Sequence, residues 1–197
     1  MIEIYSEIID KEIYIKLLEF LLKKCDTVAF AIPNYGTVFG FNSSKTILDE
    51  YNKIKFQLER DNQQYKEYYQ NIDPLLKKID TQLIKKCVDI QYFDQIYNYE
   101  HETRIYNYNS DVFEVLKKAD GLYKWRYPNY PEDLYFFSNG KCYFKSITHE
   151  KESWLFDDRE EIIDFVENLD LDYYISSSNN PPLLTRNDNQ DNQGTVL

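Results

Sequence analysis

An α+β fold, an antiparallel sheet packed with several helices of which one is long, follows from three features of the sequence. Asn139-Gly140 separates two aromatic runs, Leu134 to Phe137 and Cys142 to Phe144. Both turn residues tolerate positive φ, and such a pair between apolar runs is the strongest short-range hairpin signal. Ile13, Leu17, Phe20 and Leu21 recur at helical spacing behind Asp10, a residue suited to an N-cap. Val88, Ile90 and Tyr92, and later Arg104, Tyr106 and Tyr108, alternate with polar neighbours, which is the period of a half-covered strand.

Taken in order, Ile2 and Ile4 alternate with Glu3 and Tyr5 and suit a short first strand. Asp10 then opens an amphipathic helix over Lys11 to Lys24. Thr27 to Ile32, TVAFAI, is apolar at nearly every position and reads as a strand covered on two faces. Pro33 to Gly36 is a turn, and Thr37 to Phe41 is the returning strand. The longest helix is drawn from Ser44 to Gln70 on a stripe of Ile47, Tyr51, Ile54 and Leu58. Its second half is polar apart from Tyr65, Tyr68 and Tyr69, so it projects from the core or meets a partner. Asp73-Pro74 reads as a stop and restart, with Leu75, Leu76, Ile79 and Leu83 facing inward from a helix that ends near Lys86.

The strands between Val88 and Tyr108 turn around Asn98 to Glu102. Ser110 opens a short helix through Lys118, which Asp120-Gly121 ends. An aromatic loop, Tyr123 to Pro131, leads into the hairpin, and Glu152 to Phe156 adds a third strand to that meander. Asp157-Asp158 caps a helix carrying Ile162, Ile163, Phe165 and Val166, and Leu171 to Ile175 closes the sheet. Residues 1–175 therefore read as one α+β domain, and 176–197 as a polar, disordered tail.

Composition excludes several functions. A net charge of −11 repels phosphate backbones and anionic membrane surfaces, so direct nucleic-acid or membrane binding is disfavoured. The four Lys-Lys pairs are accounted for by helix ends and solvated faces. With 5 glycines there is no Gly-rich phosphate loop. Cys25, Cys87 and Cys142 form neither a disulfide framework nor a zinc motif, and no apolar run is long enough to span a bilayer. The expectation is a cytoplasmic protein without cofactor or metal.

Three groups of residues carry candidate functions. His149 beside Glu150 suggests a general base or half a metal site, but adjacent strand residues point to opposite faces, so an exposed or backbone-bonded histidine is the simpler reading. Cys142 beside Lys141 is a nucleophile candidate, with His149 across the sheet as its partner, against the commoner role of a small buried hydrophobe. Aromatic and acidic positions are the binding candidates: Tyr65, Tyr68, Tyr69, Trp125, Tyr127, Tyr130, Glu132 and Asp133. Tyrosine among carboxylates suits an interface with a basic protein, whereas base stacking needs a basic groove.

Trp125, Pro128, Pro131, Glu132, Asp133, Leu134, Phe136, Gly140, Cys142, Ser146, His149 and Glu150 together spell W-x-x-P-x-x-PEDL-x-F…G-x-C…HE. This block resembles the C-terminal part of small proteins of Bacillus- and Clostridium-like bacteria, and Glu7 to Asp26 is similar to their start. The middle of the chain and its tail lie outside the resemblance. It implies a bacterial, mobile-element or defence-related setting and no mechanism. The expected function is a non-enzymatic inhibitor of a basic partner, such as an immunity protein or a phage-type inhibitor. The alternatives are a small hydrolase or nuclease using His149 with Glu150, Glu132 or Asp133, and an assembly subunit joined through the Tyr65 to Tyr69 helix.

Overall fold

The computed structural model describes residues 1–6, 8–34, 66–93 and 97–176. The strands are β1 (Ile2–Ile4), β2 (Thr27–Asn34), β3 (Leu83–Phe93), β4 (Tyr97–Asn107), β5 (Glu132–Ser138), β6 (Lys141–Ile147), β7 (Glu152–Leu155) and β8 (Tyr173–Ile175). They form one antiparallel sheet in the order β3-β4-β2-β5-β6-β7-β1-β8. The described helices are α1 (Lys11–Lys24), α2 (residues 66–76), α3 (Ser110–Leu116) and α4 (Glu160–Glu167). The α+β architecture expected from the sequence is the one observed.

Local chemistry accounts for the element ends. The Asp10 carboxylate accepts from the Ile13 N–H at 3.0 Å, an N-cap at the expected place. Asn139 and Gly140 take φ of 51° and 74°, the left-handed geometry that a tight β5–β6 hairpin needs. Gly121, at φ 151°, sits so close to α1 that a Cβ there would stand 2.4 Å from the Ile9 carbonyl oxygen.

Several boundaries differ from the sequence reading. Pro74 does not stop the helix, which runs on to residue 76 and then tightens into a 3₁₀ turn, Lys77–Gln82. Pro74 lacks the N–H that would bond the carbonyl four residues back, and the helix ends two residues later. Leu83 to Lys86 begin β3 instead of ending a helix, because pairing with β4 overrides the helical spacing of Leu75, Ile79 and Leu83. Asn98 to Glu102 are ladder residues of β4, and the β3–β4 connection falls at 94–96, outside the described residues. Asn109, not Ser110, caps α3, accepting from the N–H groups of Asp111 and Val112. Asp157 is not a cap of α4. Its carboxylate accepts from the Arg159 backbone and guanidinium, and the helix starts at Glu160 with no side-chain cap. Residues 35–65 and 177–197, with the expected return strand, most of the long helix, Tyr65 and all but one residue of the polar tail, lie outside the described residues.

The two faces of the sheet are unequal. Every buried residue of the helices joins one core cluster with Ile2, Ile4, Val28, Phe30, Tyr106, Leu134, Phe136, Phe144 and Leu155. One register row crosses all eight strands on this face: Leu83, Tyr106, Val28, Phe136, Phe144, Leu155, Ile2 and Ile175. The neighbouring row points the other way: Lys85, Ile105, Ala29, Tyr135, Lys145, Trp154, Glu3 and Tyr174. Ala29 and Trp154 are buried but lie outside the core cluster, so β2 is covered at Ala29 on this face as well as by the core on the other.

Candidate functional site

The aromatic candidates divide by burial. Tyr68 and Trp125 are core residues and offer no surface to a partner, which corrects their reading as anchors. Trp125 stacks on Tyr130 with centroids 4.9 Å apart and meets Phe30 edge-on at 5.8 Å. Tyr68 packs against Tyr69 and Tyr127, and the Tyr130 hydroxyl donates to the Lys118 carbonyl. Tyr69, Tyr127 and Tyr130 are half-buried against the same core. The aromatic loop is therefore mainly a plug between α2 and the sheet.

The acid and histidine candidates gather at the turn after β6, but loosely. The chain turns at Thr148 to Lys151, which frees His149 and Glu150 from strand alternation. His149 Nε2 stands 3.7 Å from Glu150 Oε1, with 69% of the histidine side chain exposed. Asp133 accepts from the Thr148 N–H at 2.8 Å. Burial, reinforced by the Asp133 charge, raises the Glu132 carboxyl above its usual range, while His149 acts in the opposite sense. Cys142 sits at the far end of β6 from His149, ~20 Å away at about 3.3 Å per residue, so the two form no dyad. Burial pushes the Cys142 thiol up to about 11, away from the range of a nucleophile. Among the described residues no three His, Cys, Asp or Glu side chains are placed to hold a metal ion.

In the middle of the neighbouring row, Lys145 lies buried with its ammonium 5.5 Å from the Tyr135 ring centre and 5.6 Å from that of Trp154. Burial lowers its pKa, although Asp133, Glu150 and Glu152 oppose the shift.

A more open surface forms at the β8 edge, which sequence reasoning did not single out. Tyr5 is 52% exposed, Tyr174 48% and Ile175 51%, three of the five large apolar side chains most exposed among the described residues. The rings of Tyr5 and Tyr174 approach to 6.3 Å, and the Tyr174 hydroxyl donates to the Glu3 carboxylate. The Tyr173 hydroxyl donates to Glu167 at 2.7 Å. Both carboxylates raise their partner phenol's pKa. Burial, then Glu150 and Glu3, raise the Glu152 carboxyl, so negative charge is crowded along this flank. From Glu160 to Ser176 there are six carboxylates and no Lys or Arg. That run was legible in the sequence. What it could not reveal is that β1 inserts between β7 and β8, which brings Glu3 and Tyr5 beside Tyr174.

No helix among the described residues is long and apolar enough to cross a membrane. No protein-family model, curated protein or solved structure matches this chain at a significant level.

Proposed function

We propose that this protein is a non-enzymatic, acidic binding protein of the cytoplasm that captures and inhibits a basic protein partner, as an immunity protein or a phage-type inhibitor of a defence enzyme does. One observation carries the reading: Tyr5, Tyr174 and Ile175 stand exposed at the β8 edge beside Glu3 and a segment with six carboxylates and no cation. Exposed tyrosine supplies contact area at low entropic cost, and a negative surround speeds encounter with a cationic patch. The free thiols of Cys25, Cys87 and Cys142 are in keeping with a reducing compartment. Affinity capture from the host at low and at high salt tests the reading, with Glu3→Lys/Asp172→Lys alongside wild type. The expected result is one stoichiometric basic protein, lost in high salt and lost with the double variant. A partner held equally by both forms would overturn it.

A hydrolytic reading has one observation in its favour, the raised Glu132 carboxyl within electrostatic reach of His149. Its test is His149→Ala. Loss of a measured hydrolytic activity with the fold intact would support it.

A further inference from the structure

Resting on that reading, we infer that β8 receives an extended, basic segment of the partner as an antiparallel ninth strand of the sheet. The backbone directions come from the ladder. The Tyr5 N–H donates to the Asp172 carbonyl at 3.1 Å and the Ser176 N–H to the Met1 carbonyl at 2.9 Å. Asp172, Tyr174 and Ser176 therefore turn their peptide groups toward β1. Peptide direction alternates along a strand, so Tyr173 and Ile175 point their N–H and C=O groups away from it, and no described strand lies beyond β8. That edge offers two donors and two acceptors, one of each per residue.

The side chains match this backbone edge on both faces. Ile175 ends the core row and Tyr174 ends the neighbouring row, each about half exposed. A ninth strand with apolar residues opposite Tyr173 and Ile175 would continue the core row past Ile175. Its alternate residues would then lie on the opposite face, over the Tyr174 ring and near Glu3, where Arg or Lys meets both a π face and a carboxylate. Main-chain hydrogen bonds supply affinity in such strand addition, and the alternating side chains supply selectivity. A second copy of this chain is opposed, because it would bring the same carboxylates and a further charge of −11 against the edge.

The test uses the full chain and a capped heptapeptide of alternating arginine and valine, followed by amide hydrogen exchange in NMR spectra. Binding is expected to slow exchange at Tyr173 and Ile175 and to leave Tyr174, already bonded to β1, unchanged. The same peptide N-methylated at its valines should bind at least about tenfold more weakly, as one lost hydrogen bond of the stronger kind implies. Ile175→Pro, which removes an outward N–H and no ladder bond, should do the same. If the N-methylated peptide binds as well as its parent, or binding leaves both amides unprotected, strand addition fails while the acidic-surface reading stands. If neither peptide binds even at low salt, both fail. A dimer in light scattering that Ile175→Lys dissociates would overturn the proposal by placing a second copy on the edge.

Discussion

The two edges of the sheet are finished in opposite ways. At β3 the edge strand runs from Leu83 to Phe93, carries the exposed Lys85 and Lys86, and has a register shift between Leu83 and Lys85. Lysines and bulges are the ordinary devices by which an edge is kept from pairing with a stranger. At β8 the edge is only Tyr173–Ile175, with no lysine and no bulge, and two of its side chains are about half exposed. The same core row thus ends at β3 beside positive charge and at β8 beside an unfinished apolar step flanked by carboxylates. Among the described residues β8 has neither lysine nor bulge, and only its shortness limits pairing there, which is the asymmetry that the proposed strand addition uses.

The comparison is broken most forcefully at the centre of the row. Phe136 is fully buried, meeting Phe144 edge-on at 5.9 Å and Tyr108 at 4.9 Å. Phe136→Ala should cost about 3–5 kcal/mol, transfer loss plus cavity, read by urea denaturation. Ile175→Ala, in the same row, should cost under about 1 kcal/mol, because half of that side chain is already in water. Equal losses at the two positions would mean that the row's end is as covered as its centre.

A second contrast lies in the middle of the neighbouring row. Two aromatic faces attract the Lys145 ammonium, but burial lowers its pKa, so the loss of hydration outweighs the nearby carboxylates. A lysine with a folded pKa below its unfolded one is penalised while charged, and the penalty lifts only as pH rises through the folded value. Lys145→Met should therefore stabilise the protein at pH 7 by about 1 kcal/mol and by less at pH 10. Thermal melts at the two values would decide it, and a destabilised variant would show that the rings win. Glu132 is the counterpart of opposite charge. Its raised carboxyl means that the folded state holds the proton more tightly, so stability falls as pH rises through the folded value. Glu132→Gln should raise Tm at pH 7, by about 2–4 °C if the penalty is about 1 kcal/mol, and leave it unchanged at pH 4.

Local chemistry was legible at Asp10 and at the Asn139-Gly140 turn, though not at Pro74, Ser110 or Asp157, and long-range pairing was not. Asp10 and the Asn139-Gly140 turn act through neighbours within a few residues, and both stand where their residue types place them. Leu83 to Lys86 carry a helical spacing that a partner strand some twenty positions later overrules. Tyr68 and Trp125 show why aromatic richness is a poor guide to surface: a ring with one polar atom fills a core as readily as it anchors an interface, and only the packing distinguishes them. The β8 edge combines both lessons, since its acidity was visible in Glu160 to Ser176 while its position beside Tyr5 and Glu3 depends on residues at opposite ends of the described chain.

The smallest expected effect on stability sharpens the comparison most. Ile175→Lys installs at β8 the kind of residue that guards β3. The side chain is 51% exposed and an ammonium on it can reach water, so the change in folding free energy should stay within about 0.5 kcal/mol. Capture of a basic partner should nonetheless be lost, because the new charge repels that partner where Ile175 would have been covered. Ile84→Lys is the matched control on β3, an equally exposed isoleucine at 49%, and it should leave capture unchanged. If both substitutions weaken capture alike, the effect is one of net charge and the two edges are equivalent. If only Ile175→Lys does so, the open edge is the one that binds.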